Sequence, residues 1–159
     1  MKGKDAMPVK VGDPAPDFQL KDDTGKIRTL DEFRGKKVAL YFYPKDNTPG
    51  CTKEACSFRD GYNALQELGI VVLGVSFDSS ESHQRFKDKH KLPFILLSDE
   101  KKEVAEAYGA SGGLLGTFAA KRYTYLIDEH GTIVHVFTKV DVKNHAEEVM
   151  QAFSKHSGK

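Results

Sequence analysis

Val38-Ala39-Leu40-Tyr41-Phe42-Tyr43 is an unbroken apolar and aromatic run ending at Pro44, and Ile70-Val71-Val72-Leu73-Gly74-Val75-Ser76 is a second such run. Their short length and their β-branched and aromatic content predict strands covered on both faces rather than helices. Between them, a loop from Pro44 to Gly50 leads into a helical pattern from Cys51 to Leu68, closed by Gly69. Strand, helix and strand in this order make a βαβ unit, whose crossover is almost always right-handed. The expectation is an α/β fold.

Upstream, Phe18-Gln19-Leu20 and Ile27-Arg28-Thr29-Leu30 alternate in polarity around Asp22-Asp23-Thr24-Gly25, which predicts an N-terminal β-hairpin. Residues 1–12 read as a loose arm, and Asp31 to Phe33 as one helical turn stopped by Gly35. Downstream, Ser80 is placed to cap a helix running to His90, and Phe94-Ile95-Leu96-Leu97 reads as a short strand. Asp99 is placed to cap a helix through Tyr108, closed by Gly109. Residues 110–120 are small and Gly-rich and read as a loop. Tyr123 to Ile127 and Thr132 to Phe137 are predicted strands joined by Asp128-Glu129-His130-Gly131, and Asn144 with Glu147 matches a capping box before a last helix to Lys155. No repeat or linker divides the 159 residues, so 1–159 is read as one domain: a central mixed sheet flanked by helices.

The charge balance excludes several function classes. With 24 Lys+Arg against 23 Asp+Glu, the net charge is +1, which gives no footprint for nucleic acid. No stretch approaches the ~20 apolar residues of a membrane span. Met1 to Pro8 has basic residues but no apolar region behind them, unlike a secretory signal, so the cytoplasm is the expected compartment. Two cysteines are too few for a disulfide scaffold, yet they sit close together on one predicted helix, at Cys51 and Cys56.

The loop before that helix joins the C-terminal end of a buried strand to a helix start, where α/β proteins usually place ligands. Thr48 followed by Pro49 fits an N-cap and a first-turn proline, which puts Cys51 in the first turn. A sulfur there meets unpaired backbone N–H groups and the positive end of the helix dipole, both of which favour thiolate, the nucleophilic form. Cys51, Ala55, Phe58, Tyr62 and Leu65 form one core-facing stripe, while Cys56 shares the opposite side with Thr52, Arg59 and Asn63. In an intact helix the two Cα atoms are ~8.6 Å apart, beyond the ~7 Å reach of a disulfide. A Cys51–Cys56 bond therefore requires the helix start to unwind.

Other readings of these residues are weaker. Buried cysteine is commonly an inert small hydrophobe, and a partner-binding or holdase domain with bystander thiols would use it so. Cys51, Cys56, His130 and His135 lie near the loose end of zinc spacings, but the two pairs are too far apart in the chain, and no metal or cofactor is expected. A Cys–His hydrolase finds no specific histidine. His83 and His90 read as a solvated helix face, His145 as a first-turn residue, and His156 as part of a frayed end.

From Tyr41 through Pro44-Lys45-Asp46-Asn47-Thr48-Pro49-Gly50-Cys51-Thr52-Lys53-Glu54-Ala55-Cys56 to Asp60, the chain resembles the peroxiredoxins, and within them the bacterioferritin comigratory protein or PrxQ subfamily. The likeness extends from Gly12-Asp13-Pro14-Ala15-Pro16 to Leu126-Ile127-Asp128. It implies a thioredoxin-like fold and a thiol-dependent peroxidase acting on hydrogen peroxide and alkyl hydroperoxides. By the same resemblance, Cys51 would be the peroxidatic and Cys56 the resolving cysteine. Thr48 would hold the peroxide, Pro44 would shield the pocket, and Arg122 would be the active-site arginine on a later strand. Thioredoxin or a similar dithiol would be the reductant of a monomeric enzyme. A thiol–disulfide carrier is the alternative, although carriers usually space the two cysteines as Cys-x-x-Cys. Residues 110–120 depart from the subfamily, lacking its Trp-Gly and basic segment.

Overall fold

A computed structural model describes residues 9–111 and 119–157, so most of the divergent 110–120 segment lies outside the described residues. The hairpin forms as expected from β1 (Gln19–Asp22) and β2 (Ile27–Thr29), and Asp31–Phe33 makes a single 3-10 turn. Asp22 builds the hairpin turn: its Oδ1 accepts from the Thr24 and Lys26 amides and from the Thr24 hydroxyl.

The βαβ unit is β3 (Lys37–Phe42), α1 (Pro49–Asp60), α2 (Tyr62–Glu67) and β4 (Ile70–Ser76), with β3 and β4 parallel. Where the periodicity predicts one helix from Cys51 to Leu68, the structure has two, broken at Gly61. The reason is tertiary. A Cβ at residue 61 would stand 3.0 Å from the Cβ of Ala146. Gly61 thus lets the last helix approach, and the Ser57 hydroxyl accepts the Ala146 amide at 3.0 Å beside it.

Next come α3 (Ser80–His90), β5 (Ile95–Ser98) and α4 (Glu103–Tyr108). The cap of α3 is Ser79, one residue before the predicted Ser80, and its hydroxyl accepts from the Ser82 amide. Asp99 reaches the amides of Val104 and Ala105 across a turn rather than from the adjacent position. The chain closes with β6 (Thr124–Ile127), β7 (Ile133–Phe137) and α5 (His145–Ser157). At the start of α5 the acid that folds back is Glu148, which accepts from the Asp141 amide, rather than the predicted Glu147.

The seven strands run in the order β2-β1-β5-β4-β3-β6-β7. β3, β4 and β5 are parallel, and the others join them antiparallel, giving the expected mixed sheet. Alternation along β3 divides the core. Val38, Leu40 and Phe42 pack with Tyr108 and the hairpin on one face. On the other, Ala39, Tyr41 and Tyr43 pack with residues of α1, α2, α3 and α5, Cys51 among them. Tyr41 stacks on Tyr43 and packs at a tilt against Phe58, with ring centroids 5.3 and 4.7 Å apart. Gly74 makes this possible, since a Cβ there would lie 3.0 Å from the Tyr41 ring. Among the described residues, no helix is long and apolar enough to cross a membrane.

Candidate active site

β3 ends against Tyr43 and half-buried Pro44, and the loop to α1 begins there. Asn47 holds a left-handed conformation at φ 63°. Thr48 is extended, as an N-cap should be, and Pro49 occupies the first turn. The Thr48 hydroxyl does not cap the helix, however. It donates to the Lys45 carbonyl at 2.8 Å. A carbonyl only accepts, so the hydroxyl proton is committed there and its lone pairs remain to accept from a bound molecule.

Cys51 lies in the first turn of α1 with 1% of its surface exposed, at the head of the buried stripe with Ala55 and Phe58. Cys56 is half-buried, and both are free thiols. The helix runs unbroken through both, which keeps the two sulfurs on different faces.

Arg122 arrives from the segment just before β6, not from the strand itself, and its guanidinium lies beside the Cys51 sulfur and hydrogen-bonds Glu54. Its Nη1 donates to Glu54 Oε1 at 2.8 Å. The guanidinium lies so near Gly50 that a Cβ there would be 3.0 Å from Nη2. Burial opposes the Arg122 charge, but the Cys51 sulfur and the Glu54 carboxylate outweigh it and raise the Arg122 pKa.

Glu54 is completely buried. Burial pushes its carboxyl from 4.5 up to about 7, against the pull of Arg122. The two partners disagree: Arg122 is held charged, whereas Glu54 resists ionising. The second oxygen reconciles them, because Oε2 is buried with no donor, as is the Tyr41 hydroxyl. One oxygen is paired and the other is stranded. His145 Nε2 stands 4.0 Å from Oε2. It is occupied with the Thr124 hydroxyl at 2.8 Å, while Nδ1 meets Glu148 at 2.7 Å. Burial lowers the His145 pKa despite Glu148. The neutral ring then donates from Nδ1 and accepts at Nε2, leaving nothing for Glu54.

A second polar cluster holds the loop from its other side. Asp46 Oδ1 accepts the Tyr43 hydroxyl at 2.6 Å, and Oδ2 accepts the Ser82 hydroxyl and His83 Nδ1, each at 2.8 Å. The Asp46 amide donates to Asp78 Oδ2 at 2.8 Å, and the same oxygen accepts the Ser76 hydroxyl. His83 is fully buried, contrary to the solvated face expected for it, and its Nε2 meets the Leu97 carbonyl at 2.8 Å. Burial works against the Asp46 charge, but these donors, His83 foremost, lower its pKa. Asp46, Asp78 and His83 bring three possible metal-ligand atoms within 4.8 Å of one another. Each of the three is engaged in the hydrogen bonds just described.

The profile of the AhpC/TSA family matches residues 11–136. The chain belongs to that family. It is 51% identical over 149 residues to the putative peroxiredoxin bcp of Coxiella burnetii, covering 91% of this chain and 98% of that one. It is 44% identical over 158 residues to peroxiredoxin Bcp of Bacillus subtilis, covering 96% and 100%. Among solved structures it is similar to peroxidoxin BcpB of Mycobacterium tuberculosis, with a TM-score of 0.87, 35% identity and coverage of 92% and 97%. The Xanthomonas campestris bacterioferritin comigratory protein, described for its alkyl peroxide reduction activity, matches with a TM-score of 0.83 and 32% identity over 88% of this chain and 92% of that one. These relatives place the chain among the Bcp/PrxQ peroxiredoxins, peroxidases of thioredoxin-like fold.

For a peroxiredoxin of this kind, the sequence motif finds the residues at the mouth of the loop and misses their support. Cys51, Thr48 and Arg122 gather at one end of α1, and Pro44 begins the loop that leads to it. Cys56 stays apart on the helix's other side. Glu54 and His83 escaped because charged residues on helices ordinarily read as solvated. Each left a signal: Glu54 lies one turn from Cys51 and beside Ala55 on the buried stripe, and His83 lies one turn before Phe86, another buried residue of α3.

Proposed function

We propose that Cys51 is the peroxidatic cysteine of a thiol peroxidase that reduces hydrogen peroxide and alkyl hydroperoxides. One observation carries this reading: a buried sulfur in the first turn of α1, against the guanidinium of Arg122. The Cys51 thiolate attacks the terminal peroxide oxygen. The S–O bond forms, the O–O bond breaks, and the departing oxygen takes up a proton to leave as water or alcohol. Arg122 supplies fixed positive charge where negative charge moves from sulfur to oxygen. Thr48, its own proton spent on Lys45, accepts the hydroperoxide O–H and orients the attack. Pro44 covers the loop side of the pocket.

Cys56 then attacks the sulfenic acid, forming a disulfide and releasing water, which diverts Cys51 from irreversible oxidation. A dithiol such as thioredoxin returns two electrons. Because both thiols lie on α1, the cycle needs no second copy, so the single 1–159 domain works as a monomer, in the cytoplasm.

The test is thioredoxin-coupled NADPH oxidation with and without peroxide. Cys51→Ser is expected to abolish peroxide consumption, and Cys56→Ser to let Cys51 over-oxidise, read by mass spectrometry after stoichiometric peroxide. Peroxide turnover surviving in Cys51→Ser would overturn the assignment.

A further inference from the structure

We propose that His83 is a positioning residue for peroxide reduction: through Asp46 it fixes the Pro44–Thr48 loop, and so sets where the Thr48 hydroxyl stands relative to the Cys51 sulfur. The inference rests on the peroxidase reading of Cys51 and Thr48.

Lys45 and Asn47 are exposed, so between Pro44 and Thr48 the loop is anchored through buried Asp46. Every anchor recorded for Asp46 leads away from α1. Its side chain is held by Tyr43, Ser82 and His83, and its amide by Asp78. Of these, His83 has the firmest footing, because its far nitrogen is pinned to the Leu97 carbonyl of β5. Both ring nitrogens are engaged, one with Asp46 and the other with the Leu97 carbonyl, so the ring cannot turn without losing a bond. A continuous chain of hydrogen bonds and backbone therefore runs from β5 through His83 and Asp46 to Thr48.

Stability alone is a poor reason for this pair. Burying an ionic pair is often no better than burying apolar residues of the same volume. What the pair adds is direction. The left-handed Asn47 and the committed Thr48 proton both depend on the loop holding one shape. A displacement of about 1 Å in a reacting geometry can cost about a hundredfold in rate.

The experiment compares two reactions of the Cys51 sulfur, in the Cys56→Ser background where it is the sole thiol. One is its reaction with hydrogen peroxide, which needs the loop. The other is alkylation by iodoacetamide, which needs only the sulfur. His83→Gln is expected to slow the peroxide reaction about tenfold or more while alkylation stays within about twofold. Ser82→Ala, which removes one donor to Asp46, should do the same by about threefold. His135→Gln, at an exposed position of β7, should change neither. If His83→Gln does not fold, Ser82→Ala decides by the same split. A peroxide rate within about twofold of the parent, or an equal fall in both reactions, overturns the positioning role. Failure of the peroxidase reading looks different, because Cys51→Ser would then still consume peroxide.

Discussion

Two polar clusters flank the loop before α1, and they are built to opposite standards. Asp46, with His83, Ser82, Tyr43 and Asp78, has donors on both carboxylate oxygens and an acceptor for its amide. Glu54, with Arg122 and His145 nearby, has one oxygen paired and one stranded. The outcome is opposite too: the Asp46 pKa is lowered, whereas Glu54 is pushed up to about 7. Burial opposes both charges, so what separates them is the number of donors supplied. The satisfied cluster belongs to the loop, which has to keep its shape. The unsatisfied one belongs to α1, which has to let go if Cys51 and Cys56 are to join.

The comparison can be broken most forcefully at Arg122, a cation shared by the thiol and the unsatisfied cluster. Arg122→Gln should lower the peroxide rate constant about a hundredfold or more, measured by stopped flow. A change of only a few fold would mean that the guanidinium serves Glu54 alone.

Next comes Asp46→Asn. Removing one partner of a buried charge pair should cost about 3–5 kcal/mol by denaturant unfolding at neutral pH. The pH dependence sharpens the point. A carboxyl with a lowered folded pKa contributes stability that is present above its unfolded value of 3.8 and is lost as pH falls through the folded value. The variant should lose that acid-side drop.

Glu54 has the reverse sign. Below 4.5 it is protonated whether folded or unfolded and contributes nothing. As pH rises from 4.5 to about 7, the unfolded chain ionises freely while the folded one keeps its proton, so stability falls, by about 3 kcal/mol in all. Glu54→Gln should flatten this window in denaturant titrations at several pH values. If it steepens the fall, the stranded oxygen is not the source.

What the sequence disclosed follows the range of the interactions. β3, β4, the hairpin and the placing of Cys51 in the first turn of α1 come from local pattern and turn chemistry and are found as read, although the Thr48 hydroxyl does not make the cap. The break at Gly61 and the two clusters come from partners distant in the chain. Arg122 is 68 residues from Glu54, and His83 is 37 from Asp46. No window on a helix pattern contains such a pair. The motif itself marked Thr48 and Cys51 and read Thr48 as a cap, whereas its hydroxyl proton goes to the Lys45 carbonyl.

The interruption at Gly61 changes what unwinding α1 would entail. A single helix to Leu68 would share one cooperative ladder, so melting its start would loosen Leu65 and the packing on β4. With the ladder cut, the region that opens is confined to Pro49–Asp60, and α2 remains docked as a fixed abutment. Besides the buried stripe of Cys51, Ala55 and Phe58, its polar lateral ties are few: Glu54 to Arg122, Ser57 to the Ala146 amide, and Arg59 to the His90 carbonyl. Such a segment works as a hinged clasp, fastened at discrete polar points and by the Phe58 ring lodged against Tyr41, Phe94 and His145.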